Sequence, residues 1–107
     1  MTVEQLTPTE FLSLRDSGEL WQLLDVREAW EIDLASVPEC ICIPMAQIPD
    51  RMGEIDSATP VAVLCHSGGR SRRVADFLVQ NEFARVANIA GGIDTWAETA
   101  DTSIHRY

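Results

Sequence analysis

Short apolar runs alternate with amphipathic stretches along the whole chain. Leu20 to Val26, Val61 to Cys65 and Val86 to Ile89 are close to continuously apolar, the pattern of strands buried on both faces. Val3 to Leu6 and Cys40 to Ile43 read as two shorter strands, the second bracketed by Pro38 and Pro44. Between them lie helical signals. Thr7-Pro8-Thr9-Glu10 offers a capping threonine, a proline suited to the first helical position and a glutamate that closes a capping box. Phe11, Leu12 and Leu14 follow, and Gly18 ends that helix. Glu28 to Leu34 is a short helix. Met45 to Ile55 reads as another, with Ile48, Met52 and Ile55 on one face and Pro49 tolerated only in its first turn. Arg70 to Asn81 carries a stripe of Val74, Phe77 and Leu78. Gly91-Gly92 turns into a last helix from Ile93 to Glu98. The tail, Ala100 to Tyr107, follows no period, and its His105 and Tyr107 belong to no motif.

Strands that alternate with helices imply right-handed crossovers and an α/β fold, a mostly parallel sheet with helices on both faces. With 107 residues, one domain accounts for positions 1–107, its core at about 3–98 and its tail at 99–107. Such sheets bind ligands beyond the carboxyl ends of their strands. Cys65 stands at one of those ends.

Charge narrows the partners. Eight basic residues, all arginine, face 17 acidic ones, a net charge of −9. Nucleic acid is excluded as a partner, because phosphates would meet a repulsive field. No stretch reaches the roughly 18 apolar residues of a membrane span, so no membrane partner is expected. Met1-Thr2-Val3-Glu4-Gln5 has no basic or apolar leader pattern, and the cytoplasm is the expected compartment. Three cysteines are an odd count. In a reducing compartment that speaks against a disulfide framework and leaves room for one working thiol.

The chemistry concentrates in Cys65-His66-Ser67-Gly68-Gly69-Arg70-Ser71: a cysteine at a strand end, a tight loop, then a helix start. Two glycines permit positive φ and let backbone N–H groups turn inward. The helix start adds partial positive charge. That cradle favours the thiolate, the nucleophilic form, and the same donors suit an anionic substrate group. Residues 65 to 73 hold Arg70, inside the loop, with Arg72 and Arg73 and no acid, cations at a helix start that oppose its dipole. A local rule broken in the one basic stretch of an acidic chain points to function. Arg70 is read as functional; for Arg72 and Arg73, function and simple solvation stay open.

Four motifs resemble the single-domain rhodanese-like sulfurtransferases, from about Val3 to Glu98. They are Leu23-Leu24-Asp25-Val26-Arg27-Glu28, Val37-Pro38 through Ile43-Pro44, Val63 through Ser71, and Asn88-Ile89-Ala90-Gly91-Gly92-Ile93-Asp94-Thr95-Trp96. The resemblance implies a three-layer fold around a five-stranded sheet. It also implies that Cys65 takes a sulfane sulfur from a small anionic donor such as thiosulfate, as a persulfide. The sulfur then passes to cyanide, a thiol or a protein acceptor. Loop groups from His66 to Ser71 would stabilise the persulfide, Arg70 would bind the donor or fix the loop, and neither metal nor organic cofactor is called for. The chain departs from the family's usual pattern at Ala35-Ser36, Glu39 and Cys42, which puts turn geometry and acceptor choice in question there. Two other functions compete. One is a binding module or dedicated sulfur carrier. The other is a cysteine phosphatase or arsenate reductase, disfavoured because those related in fold carry one more residue between Cys and Arg.

Other residues support the site or the core. Asp25 and Arg27 are read chiefly as a buried ion pair or loop brace at the site mouth, with Arg27 also in reach of Glu31 and Asp25 of Arg70 or the loop amides. His66 is read as a rim residue with its side chain outward, general acid–base work being the alternative. Cys40 and Cys42 are expected to be small buried strand residues sharing a face, with a relay thiol as the alternative. Trp21, Trp30 and Trp96 are assigned to packing.

Overall fold

A computed structural model describes residues 2–107; Met1, at the head of the segment read for a leader, lies outside them. Five strands form one sheet: β1 (Glu4–Leu6), β2 (Gln22–Asp25), β3 (Ile41–Cys42), β4 (Val61–Leu64) and β5 (Val86–Ile89). Their order is β1-β5-β4-β2-β3, and every pairing is parallel. The longest-buried strands, β4 and β5, are therefore interior, as their continuous apolar runs require.

Helices α1 (Pro8–Asp16) and α5 (Gly92–Thr99) cover one face, where Phe11, Ile93 and Trp96 pack on Leu23, Leu64 and Ile89. On the other face α3 (Ile48–Arg51) and α4 (Gly69–Gln80) bring Ile48, Val74 and Leu78 onto Leu24, Val61 and Val63. The short α2 (Ala29–Leu34) leads from β2 toward β3. Among the described residues, no helix is long and apolar enough to cross a membrane.

The capping box opens α1 as read: the Glu10 N–H donates to Thr7 Oγ1 at 3.2 Å, and the Thr7 N–H donates to Glu10 Oε1 at 2.8 Å. Elsewhere three readings change. The single helix read over Met45 to Ile55 is broken into a 3-10 turn (Met45–Gln47), α3 and a second 3-10 turn (Met52–Glu54). Pro49 has no N–H to give, and Gly53 disfavours helix, so neither side propagates. The strand read from Leu20 starts at Gln22, and Leu20 is 82% exposed. Trp30, assigned to packing, is 63% exposed on α2, whose single buried residue is Glu31.

Candidate active site

Cys65 follows the carboxyl end of β4, and α4 begins four residues later at Gly69. The turn is made by Gly68, whose φ of 110° lies in the left-handed region that glycine tolerates without strain. That conformation points the Gly68 N–H at Cys65 Sγ, at 3.1 Å. The thiol donates to Ser71 Oγ at 3.2 Å, and the Ser71 hydroxyl donates to Asn88 Oδ1 at 2.5 Å. Asn88, on β5, also holds Gln5 Oε1 at 3.1 Å through its amide nitrogen. A polar relay thus crosses the sheet from β1 to the sulfur. Cys65 itself is 1% exposed. A hollow of about 160 Å³ bordered by Met45, Ile48 and Phe77 is not lined by Cys65.

A second helix start secures this loop from below. The Ile93 and Asp94 N–H groups of α5 donate to the carbonyls of Cys65 and His66, at 2.9 and 3.1 Å. Gly92, at φ 61°, makes that approach possible, since a Cβ there would stand 2.5 Å from both carbonyl oxygens. The Gly91-Gly92 pair read from the sequence as a turn is thus also the seat of the Cys65 loop.

Two ion pairs stand beside the loop. Arg27 is wholly buried with Asp25, Nη2 to Oδ2 at 2.7 Å, and it also donates to the carbonyls of Ala35 (2.9 Å) and Glu31 (3.3 Å). Burial works against its charge, but the Asp25 and Tyr107 oxygens outweigh that and raise its pKa. Its guanidinium is fully engaged, so the pair is a brace with no arm left for a ligand. Arg70 forms the other pair. Both of its Nη atoms meet the Glu31 carboxylate, at 2.5 and 2.8 Å. Glu31 is 3% exposed and also accepts from the Glu28 N–H and the Tyr107 hydroxyl. The Arg70 guanidinium holds the Glu31 carboxyl down to about 2, overcoming the effect of burial, with Tyr107 assisting.

Several site readings need correction. Arg70 lies in the first turn of α4, not in the loop, and its partner is Glu31, not Asp25. Arg27 reaches only the Glu31 carbonyl, because Arg70 and Tyr107 occupy its carboxylate. The His66 ring does not point into water. It stacks on Tyr107 with centroids 4.4 Å apart and planes 16° apart, and its buried Nε2 meets no protein partner. Of the expected cradle, Gly68 and Ser71 reach the sulfur, while Ser67 and Gly69 are exposed. Cys42 is exposed and Cys40 half-buried. Cys40 precedes the two-residue β3, yet its side chain stays within reach of the Cys42 thiol, so the two share a side without the expected burial. Glu31, Asn88 and Tyr107 were not read as site residues; the partners that tie them across the site lie 17 to 83 residues away, beyond any local pattern.

Comparison with known proteins agrees with this architecture. The Rhodanese-like domain family matches residues 7–99. A sulfurtransferase of Allochromatium vinosum is 40% identical over 75 residues, 70% of each chain. A putative sulfur carrier protein of Bacillus subtilis is 30% identical over 95 residues, 89% of this chain, which spans about half (51%) of that relative. The crystal structure of a rhodanese-like domain protein from Staphylococcus aureus superposes with a TM-score of 0.83 at 25% identity, over 98% of this chain and 99% of the other.

Proposed function

The chain belongs to the rhodanese-like domain family, and from that premise we propose that it is a sulfurtransferase working through a persulfide on Cys65, in the reducing cytoplasm. The observation that carries this reading is the placement of Cys65 Sγ: at a strand's carboxyl end, before a helix start, with the Gly68 N–H aimed at it. Donors in that arrangement stabilise negative charge on sulfur, which is the nucleophile's charge and the persulfide's.

In the first half-reaction the Cys65 thiolate attacks the outer sulfur of thiosulfate. A bond forms between the two sulfurs, the donor's S–S bond breaks, and sulfite leaves with the electron pair. In the second, cyanide or a thiolate attacks the outer sulfur of the persulfide. The Cys65–S bond breaks and the Cys65 thiolate returns. The Ser71 hydroxyl, 3.2 Å from Sγ, is a rotor that turns its proton from Asn88 to the anion. His66 to Ser71 form the donor site, Arg70 fixes the loop through Glu31, and Asp25 and Arg27 brace its mouth. A dedicated carrier role, passing sulfur to one protein acceptor, is the second reading, supported by the putative sulfur carrier relative.

The test is thiocyanate formation from thiosulfate and cyanide. The wild-type chain should turn over, and Cys65→Ser, close in volume, should retain its fold and lose at least about a thousandfold in rate, as expected when a covalent nucleophile is removed. Full activity in Cys65→Ser contradicts the proposal. Sulfur delivered to a protein thiol but not to cyanide selects the carrier reading.

A further inference from the structure

The tail, featureless as sequence, returns to the site. After α5 the Ala100 and Asp101 N–H groups both donate to the Trp96 carbonyl, turning the chain back. Ile104 packs with the α1–α5 side of the core, and Arg106 is held by Asp94 at 2.9 Å and Glu98 at 2.7 Å. These contacts deliver Tyr107 to the Cys65 loop. Its hydroxyl accepts from Arg27 Nη1 at 3.0 Å and donates to Glu31 Oε2 at 2.8 Å. Its ring lies flat against His66.

We propose that Tyr107 is a positioning residue of the Cys65 site, linking the Asp25–Arg27 brace to the Glu31–Arg70 clasp and roofing the loop through His66. The argument is one of satisfaction and geometry. Glu31 is a buried carboxylate, and every donor it meets limits its freedom to turn. Tyr107 supplies one of those donors. Without it Glu31 loses a contact, and Arg70, whose side chain is 32% exposed, loses a firm partner. Arg70 is five residues from Cys65 and in the first turn of α4, so its slack passes into the loop. The ring acts separately, stacking on the His66 imidazole, whose buried Nε2 has no protein partner among the described residues.

The test separates the hydroxyl from the ring in the full chain, using Tyr107→Phe and Tyr107→Ala. The first readout does not depend on sulfur transfer: the rate at which iodoacetamide alkylates each cysteine, located by peptide mass. Tyr107→Ala should speed Cys65 alkylation about fivefold, the size of a lost aromatic pair, while Cys40 alkylation stays at the wild-type rate. Tyr107→Phe should fall between Tyr107→Ala and wild type. An unchanged Cys65 rate in Tyr107→Ala overturns the proposal. So does equal acceleration at Cys65 and Cys40, which marks general loosening.

The second readout rests on the sulfur-transfer reading. Either variant should raise the KM for thiosulfate, by about tenfold in Tyr107→Ala, as for one lost hydrogen bond to a charged group, with kcat within about twofold. A fall in kcat at unchanged KM overturns the positioning role. If wild type takes no sulfur, the functional reading falls and alkylation alone decides the role of Tyr107.

Discussion

Cys65 and Cys40 both donate their thiol protons, but Cys65 also accepts a hydrogen bond. Cys65 receives an N–H, from Gly68, and its thiol donates to the Ser71 hydroxyl, whose proton can rotate toward the sulfur once that is an anion. Cys40 gives its proton to the Val37 carbonyl at 2.7 Å and receives no donor among its described contacts. Burial pushes the Cys40 thiol up to about 12, and the negative charge of Asp25 adds to it. Burial raises Cys42 too, with Asp25 again contributing. Sequestration alone therefore makes an inert thiol; a sequestered sulfur becomes useful when the surrounding groups are donors. Here the donors come from a left-handed Gly68 before α4, and that loop is in turn seated on the start of α5.

The comparison can be broken most forcefully at Gly92. Gly92→Ala places a Cβ against the Cys65 and His66 carbonyls at a positive φ. It should cost more than about 2 kcal/mol in stability, read from denaturant midpoints, and remove most sulfur transfer. A variant with wild-type stability would show that α5 does not seat the loop.

Glu31→Gln sharpens the comparison without touching the sulfur. Glu31 ionises near 4.5 ordinarily and near 2 when folded, because Arg70 holds its charge. A depressed carboxylate stabilises the fold above its unfolded pKa, and that stability is lost as pH falls from about 5 toward 2. The wild-type Tm should drop across that window. In Glu31→Gln the drop should be shallower by the equivalent of about 2 kcal/mol, from a lower stability at neutral pH. Parallel curves for the two proteins would contradict the clasp. The smallest effect belongs to the other thiols: Cys40→Ala with Cys42→Ala should leave thiosulfate turnover within about twofold and cost about 1 kcal/mol or less, since neither residue is fully buried. A large loss of turnover would bring β3 into the chemistry.

What could be read from the sequence was local. The Thr7 capping box, the apolar run Val61 to Leu64 and the Gly91-Gly92 turn each declare themselves within a few residues, and the parallel pairing follows from the alternation of strands and helices, while the strand order does not. Cys65, Gly68 and Ser71 were legible for the same reason: one heptapeptide contains them. The Arg70–Glu31 clasp was not, because it spans 39 positions. Tyr107 was still less so. A tyrosine at the end of an aperiodic tail carries no signal until Arg106, Asp94 and Glu98 show where the tail is fastened. The continuous helix expected from Met45 to Ile55 failed where a correct apolar spacing met Pro49 and Gly53.

The central claim is that sulfur lands on Cys65 and nowhere else, and the direct measurement is mass. The wild-type chain is incubated with thiosulfate, weighed intact, digested without reductant and mapped. One added sulfur, about 32 Da, on the Cys65 peptide and removed by cyanide is the predicted result. An added sulfur on the Cys40–Cys42 peptide, with Cys65 unmodified, would contradict the account.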